Sequence, residues 1–65
     1  MSAIKDARIK KGVTQETAAI AIGISYSMYT KLENGYRGAS QKTMAEVARY
    51  FNASVTDLFF ADAVH

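Results

Sequence analysis

Apolar residues in this chain recur at intervals of three and four, and nothing alternates with period two over a useful length. That periodicity predicts helices rather than strands. Met1, Ile4, Ala7 and Arg8 share one helical face, Lys10 and Lys11 load the last turn with positive charge, and Gly12 stops the run, so a first helix is expected over 2–11. Thr14 offers a capping hydroxyl to a second helix over about 15–22, with Ala18, Ala19 and Ile22 as its inner stripe and Gly23 as its end. Ser25 caps a third over about 26–34, where Tyr29, Leu32 and Glu33 recur before Asn34-Gly35. A loop through Tyr36-Arg37-Gly38-Ala39 leads to Ser40 and the clearest amphipathic stripe, Met44, Val47, Ala48 and Phe51, which Asn52 closes. Ser54 and Asp57 stand at capping-box spacing ahead of Leu58, Phe59 and Phe60. The expected fold is all-α, five short helices, with no internal repeat or low-complexity segment.

Length and composition narrow the class further. The chain has 65 residues, 49% hydrophobic and 22% charged, which suits one small globular domain over 1–65. A domain of this size hides only about 60% of its unfolded surface, so its core is thin. Without cysteine it has no disulfides and no thiol nucleophile, which fits a reducing compartment. No apolar run approaches the ~20 residues of a membrane span, and no secretory layout opens the chain, so a soluble, cytoplasmic protein is expected. The net charge of +2 is a weak argument for nucleic acid. Its placement says more. Through Gly38, six basic residues stand against three acidic ones for a net of +3, whereas the remainder is −1.

Only Gly23-Ile24-Ser25 separates the second helix from the third, and so short a link forces a sharp corner. Ala19, four residues before Gly23, keeps that corner small inside. A helix-turn-helix over about 15–34 follows, with the third helix as the recognition helix. If Tyr29, Leu32 and Glu33 face inward, helical geometry turns Tyr26, Ser27, Thr30 and Lys31 outward together. Hydroxyls and an ammonium on one face suit the edges of bases and phosphates in a major groove.

Five stretches in register, Gly12-Val13-Thr14-Gln15-Glu16, Ala19, Gly23-Ile24-Ser25, Leu32-Glu33-Asn34-Gly35 and Ser54-Val55-Thr56-Asp57-Leu58, resemble the lambda-repressor and Cro type of DNA-binding domain, also called Xre-like. The resemblance runs from Ile4 to Phe59. It implies base or adjacent backbone contacts from Tyr26, Ser27 and Thr30, a guanine or phosphate contact from Lys31, and a thymine-methyl contact from Met28. It also implies DNA backbone contacts from Gln15, Asn34, Tyr36 and Arg37, with Arg37 foremost, and a structural ion pair between Arg8 and Glu33. Lys5, Lys10 and Lys11 are expected to be solvated. Two departures from the family pattern stand out: Ala18 and Tyr29 occupy sites where leucine and isoleucine or valine are usual, which suggests a volume swap across one contact. Ile20 and Ala21 stand where charged residues are usual, which, with Phe60 and Val64, suggests a self-association surface.

Catalysis is not expected. His65 is the lone histidine and the last residue, Asp57 and Asp62 form no catalytic pair, and no glycine-rich phosphate loop is present. No metal or other cofactor is expected. The leading reading is a phage, mobile-element or bacterial repressor that binds double-stranded DNA at a palindromic operator as a homodimer, its half-sites about 34–36 Å apart. The alternative is an antitoxin-like or antirepressor-like module that holds a protein partner through the apolar side of helix two or the Phe59-Phe60 end.

Overall fold

The structure, a computed structural model, describes residues 2–61. Met1, Asp62, Val64 and His65, invoked above, lie outside the described residues. Among the described residues five α-helices follow one another: α1 (Ala3–Lys11), α2 (Gln15–Ile22), α3 (Tyr26–Glu33), α4 (Gln41–Tyr50) and α5 (Val55–Phe59).

Each helix begins at a hydroxyl. The first amides of a helix lack an internal carbonyl partner, and an oxygen on the preceding residue supplies one. Ser2, Thr14, Ser25, Ser40 and Ser54 accept from the amides of Lys5, Thr17, Met28, Thr43 and Asp57 at 3.0–3.2 Å. The first cap is a correction. Ser2 stands outside α1 as its cap rather than inside it, and Asn34 likewise stands just past the end of α3. Asn52 after α4 adopts φ 53°, a left-handed conformation that asparagine tolerates better than most residues.

The core draws on all five helices: Ile4, then Ala18, Ala19 and Ile22, then Tyr29 and Leu32, then Met44, Val47 and Ala48, then Leu58 and Phe59. Phe51 is half-buried against this cluster rather than within it. α2 packs on α3, α4 on α5, α1 on both α3 and α5, and α2 also on α4. Among the described residues no helix is long and apolar enough to cross a membrane.

The corner between α2 and α3 is what positions the candidate site. Gly23 takes φ +89°, and the amides of Gly23 and Ile24 both return to the Ala19 carbonyl, at 2.9 and 3.1 Å. A Cβ on Gly23 would meet nothing within 4 Å, so glycine is needed there for its backbone and not for space. Gly23→Ala is therefore expected to cost about 1–2 kcal/mol, the left-handed penalty of an ordinary residue. Urea denaturation measures it, and an unchanged midpoint would show that the corner relaxes freely.

Candidate nucleic-acid interface

α3 divides into two sides. Tyr29, Leu32 and Glu33 are buried, and Ser27 and Lys31 lie opposite them, exposed. Tyr26, 52% exposed, and the half-buried Thr30 flank that outer face on one edge. Met28 flanks it on the other, half-buried against the core. The outer face thus joins polar side chains, with Met28 at its margin rather than its centre.

Beneath the Tyr26 edge runs a chain of polar contacts that crosses three helices. Arg8 Nε donates to Glu33 Oε2 at 2.7 Å, with the two side chains 15% and 3% exposed. Arg8 Nη1 donates to the Val13 carbonyl at 3.1 Å, which ties the α1–α2 linker to the same guanidinium. Gln15 Nε2 donates to Glu33 Oε1 at 3.0 Å, and Tyr26 Oη donates to Gln15 Oε1 at 3.2 Å. Both carboxylate oxygens are therefore engaged, and the first turn of α2 is held beside the first turn of α3.

The electrostatics follow from that geometry. Burial alone would push the Glu33 carboxyl up, but hydrogen bonding from Arg8, the Tyr29 hydroxyl lying beside it and hydrogen bonding from Gln15 together outweigh burial and hold the group below its ordinary value. Hydrogen bonding to Glu33 in turn holds the Arg8 guanidinium above its ordinary value. Tyr29 is displaced upward, first by burial and then by the adjacent carboxylate. Its Oη is buried without a well-formed hydrogen bond among the described residues.

The loop after α3 departs from the sequence expectation. Arg37, named above as the foremost backbone contact, donates from Nε to the Phe59 carbonyl at 2.7 Å and from Nη1 to the Leu32 and Tyr36 carbonyls at 3.2 and 2.9 Å. Its guanidinium also lies 5.3 Å from the Phe59 ring centroid. Leu32 and Phe59 sit at the ends of α3 and α5, where the helix dipole favours a cation. Arg37 is thus a brace between two helix ends, with only Nη2 left over from these bonds. Asn34 and Tyr36 are exposed. Gly38 makes room for Tyr36: a Cβ there would lie 2.6 Å from Tyr36 Cζ.

These placements also revise the charge picture. Arg8 and Arg37, two of the six basic residues in the front half, are committed inside the fold. Lys11 is exposed, with its ammonium 4.7 Å from the centroid of the Tyr50 ring. The bonds of Gln15 to Glu33 and Tyr26 had no signal in the spacing, because they join residues 18 and 11 positions apart.

Comparison with known proteins agrees with this architecture. A helix-turn-helix family model matches residues 4–58. Two proteins of Archaeoglobus fulgidus, each described as an uncharacterized HTH-type transcriptional regulator, are 37% identical over 59 residues, covering 91% of this chain and 84% and 83% of theirs. No solved structure matches significantly. With five helices, a three-residue corner before α3 and a polar outer face on α3, the chain belongs to the Cro/C1-type helix-turn-helix family of DNA-binding domains.

Proposed function

We propose that this DNA-binding regulator is a repressor that occupies a palindromic operator as a homodimer, with α3 in the major groove. The observation that carries this is the outer side of α3, where exposed Ser27 and Lys31 and the Tyr26–Thr30 edge stand opposite a fully buried inner side. Ser27, Thr30, Tyr26 and Lys31 meet base edges, Met28 meets a thymine methyl at the margin, and Gln15, Asn34 and Tyr36 meet the phosphate track. Arg37 adds a phosphate contact through Nη2 alone. One such domain buries too little surface for high selectivity, which supports two-fold pairing on half-sites about 34–36 Å apart.

A second reading has its own observation. Ile20 on α2 is 80% exposed, in a position that charged residues commonly fill, and favours a protein partner or a second copy on that side.

Selection of bound duplexes from a random pool tests the proposal. A palindrome with half-sites one helical turn apart is the expected result, and the absence of any salt-dependent DNA affinity would overturn the DNA reading and leave the protein-partner reading. Lys31→Ala is expected to weaken operator binding by roughly tenfold, equivalent to about 1–2 kcal/mol. It should either relax one base position or lower the salt slope by about one phosphate. Unchanged affinity and unchanged specificity would remove Lys31 from the interface.

A further inference from the structure

A free hydroxyl is an ambiguous reader of bases, because its hydrogen rotates to donate or to leave the oxygen accepting. Two of the three hydroxyls on the outer side of α3 have lost that freedom. The order of commitments begins at Glu33, which as a carboxylate only accepts. Gln15 must therefore turn its NH₂ to it, with Nε2 3.0 Å from Oε1. The other end of that amide, Oε1, also only accepts, so the hydrogen in its 3.2 Å contact with Tyr26 Oη belongs to the phenol. Thr30, four residues along the same edge, donates its Oγ1 hydrogen to the Ser27 carbonyl at 3.0 Å.

We propose that the Tyr26–Thr30 edge of α3 presents only oxygen lone pairs to DNA, and so reads the exocyclic amino group of adenine or cytosine rather than guanine, thymine or phosphate oxygens. The inference rests on the DNA-binding reading above and deepens it. In the major groove adenine N6 and cytosine N4 are the donors, whereas purine N7, guanine O6 and thymine O4 accept, as phosphate oxygens do. An edge of lone pairs meets the first group favourably and the second by repulsion. Tyr26 is then a base-reading residue and not a backbone contact, although the length of its side chain would allow either. Lys31, which only donates, stands on the same outer face. The face is split by polarity: an amino-reading edge at Tyr26 and Thr30, and a donor at Lys31 for guanine or phosphate. Glu33, buried and remote from any base, acts as a positioning residue, since it sets the direction of the Gln15 amide and through it the phenol hydrogen.

The test uses the full chain and the duplex it selects from a random pool. Competition binding at fixed salt first compares the chain with Tyr26→Phe at every base pair. One position in each half-site should lose its preference, from roughly three- to tenfold down to less than twofold, the size of a single hydrogen bond. At that pair, single atoms are then deleted strand by strand: the amino group, using purine for adenine or pyrimidin-2-one for cytosine, and the keto oxygen, using 2-aminopurine for guanine or 5-methylpyrimidin-2-one for thymine. Deleting the amino group should weaken the unaltered chain three- to tenfold and leave Tyr26→Phe unaffected, while deleting the keto oxygen should do little to either. Gln15→Met frees the phenol hydrogen and should make the two deletions equivalent. If the keto deletion is the one that depends on Tyr26, the phenol donates and the inference fails. If no position responds to Tyr26→Phe, Tyr26 reads no base and the inference also fails, with DNA binding intact. Loss of all duplex binding in the unaltered chain would overturn both. Tyr26 is half-exposed, so its phenylalanine variant keeps the fold, and far-UV circular dichroism verifies this for both variants.

Discussion

Arg8→Ala lowers the stability of the domain by roughly 3–5 kcal/mol, the cost of leaving a buried carboxylate without its partner. A chain of 65 residues has on the order of 3–10 kcal/mol in total, so this one change removes roughly 30% of it or more. Two functions of the guanidinium are lost together. Glu33 loses its 2.7 Å ion pair, and the Val13 carbonyl loses its donor. Arg8→Met combined with Glu33→Leu should recover most of the loss, because two apolar groups leave no charge to satisfy.

The pH dependence gives the same claim an independent check. With Arg8 present, the native Glu33 carboxyl lies below its unfolded value. It contributes stability above the unfolded range near pH 4.5 and loses it as pH falls through the native value. Without Arg8, burial dominates and the native value rises above the unfolded one. Acid should then stabilise the variant relative to the unaltered chain as pH falls toward about 4.5. Urea titrations of both proteins from neutral pH downward measure the difference, in which the remaining carboxylates cancel. A constant gap between the two curves would show that Glu33 is not held ionised by Arg8.

What could be read in the residues beforehand was mostly local chemistry. Thr14, Ser25, Ser40 and Ser54 announced four helix starts because a cap needs only a hydroxyl beside a periodic run. The inner side of α3 was legible for a similar reason, since Tyr29, Leu32 and Glu33 repeat at helical spacing. Ser2 meets the same condition, and the expected span 2–11 starts one residue early because it counts this capping serine inside the helix. The task of Arg37 was not legible at all. Its partners are backbone carbonyls of Leu32, Tyr36 and Phe59, and a carbonyl has no signature in the choice of residue. The same limit hid the state of Tyr26: an outward position follows from periodicity, but the direction of its hydrogen depends on an amide on α2 and a carboxylate at the far end of α3.

Tyr29 separates packing from polarity within the core that holds α3. Tyr29→Ala should cost about 3–5 kcal/mol, as loss of a buried aromatic ring does, and should abolish DNA binding by releasing α3. Tyr29→Phe should do the opposite. Removing a buried hydroxyl usually breaks a hydrogen bond, but Oη here has no well-formed partner among the described residues, and a desolvated group of that kind is itself destabilising by about 1–3 kcal/mol. The phenylalanine variant should therefore be as stable as the unaltered chain or more stable by about 1 kcal/mol. Alkali distinguishes the two proteins further. Burial and then the Glu33 carboxylate raise the native phenol above its ordinary value near 10, so the native state holds a proton that the unfolded state gives up. Stability from this group is complete below pH 10 and is lost as pH rises toward the native value, at up to about 1.4 kcal/mol per pH unit. Tyr29→Phe lacks that loss, so the gap between the two proteins should widen in favour of the variant above pH 10. A variant that is less stable at neutral pH by more than about 1 kcal/mol would mean that Oη is bonded to Glu33 in solution. Parallel curves in alkali would mean that the phenol ionises within the native core, and the packing of α3 against α2 would then be looser than the buried ring implies.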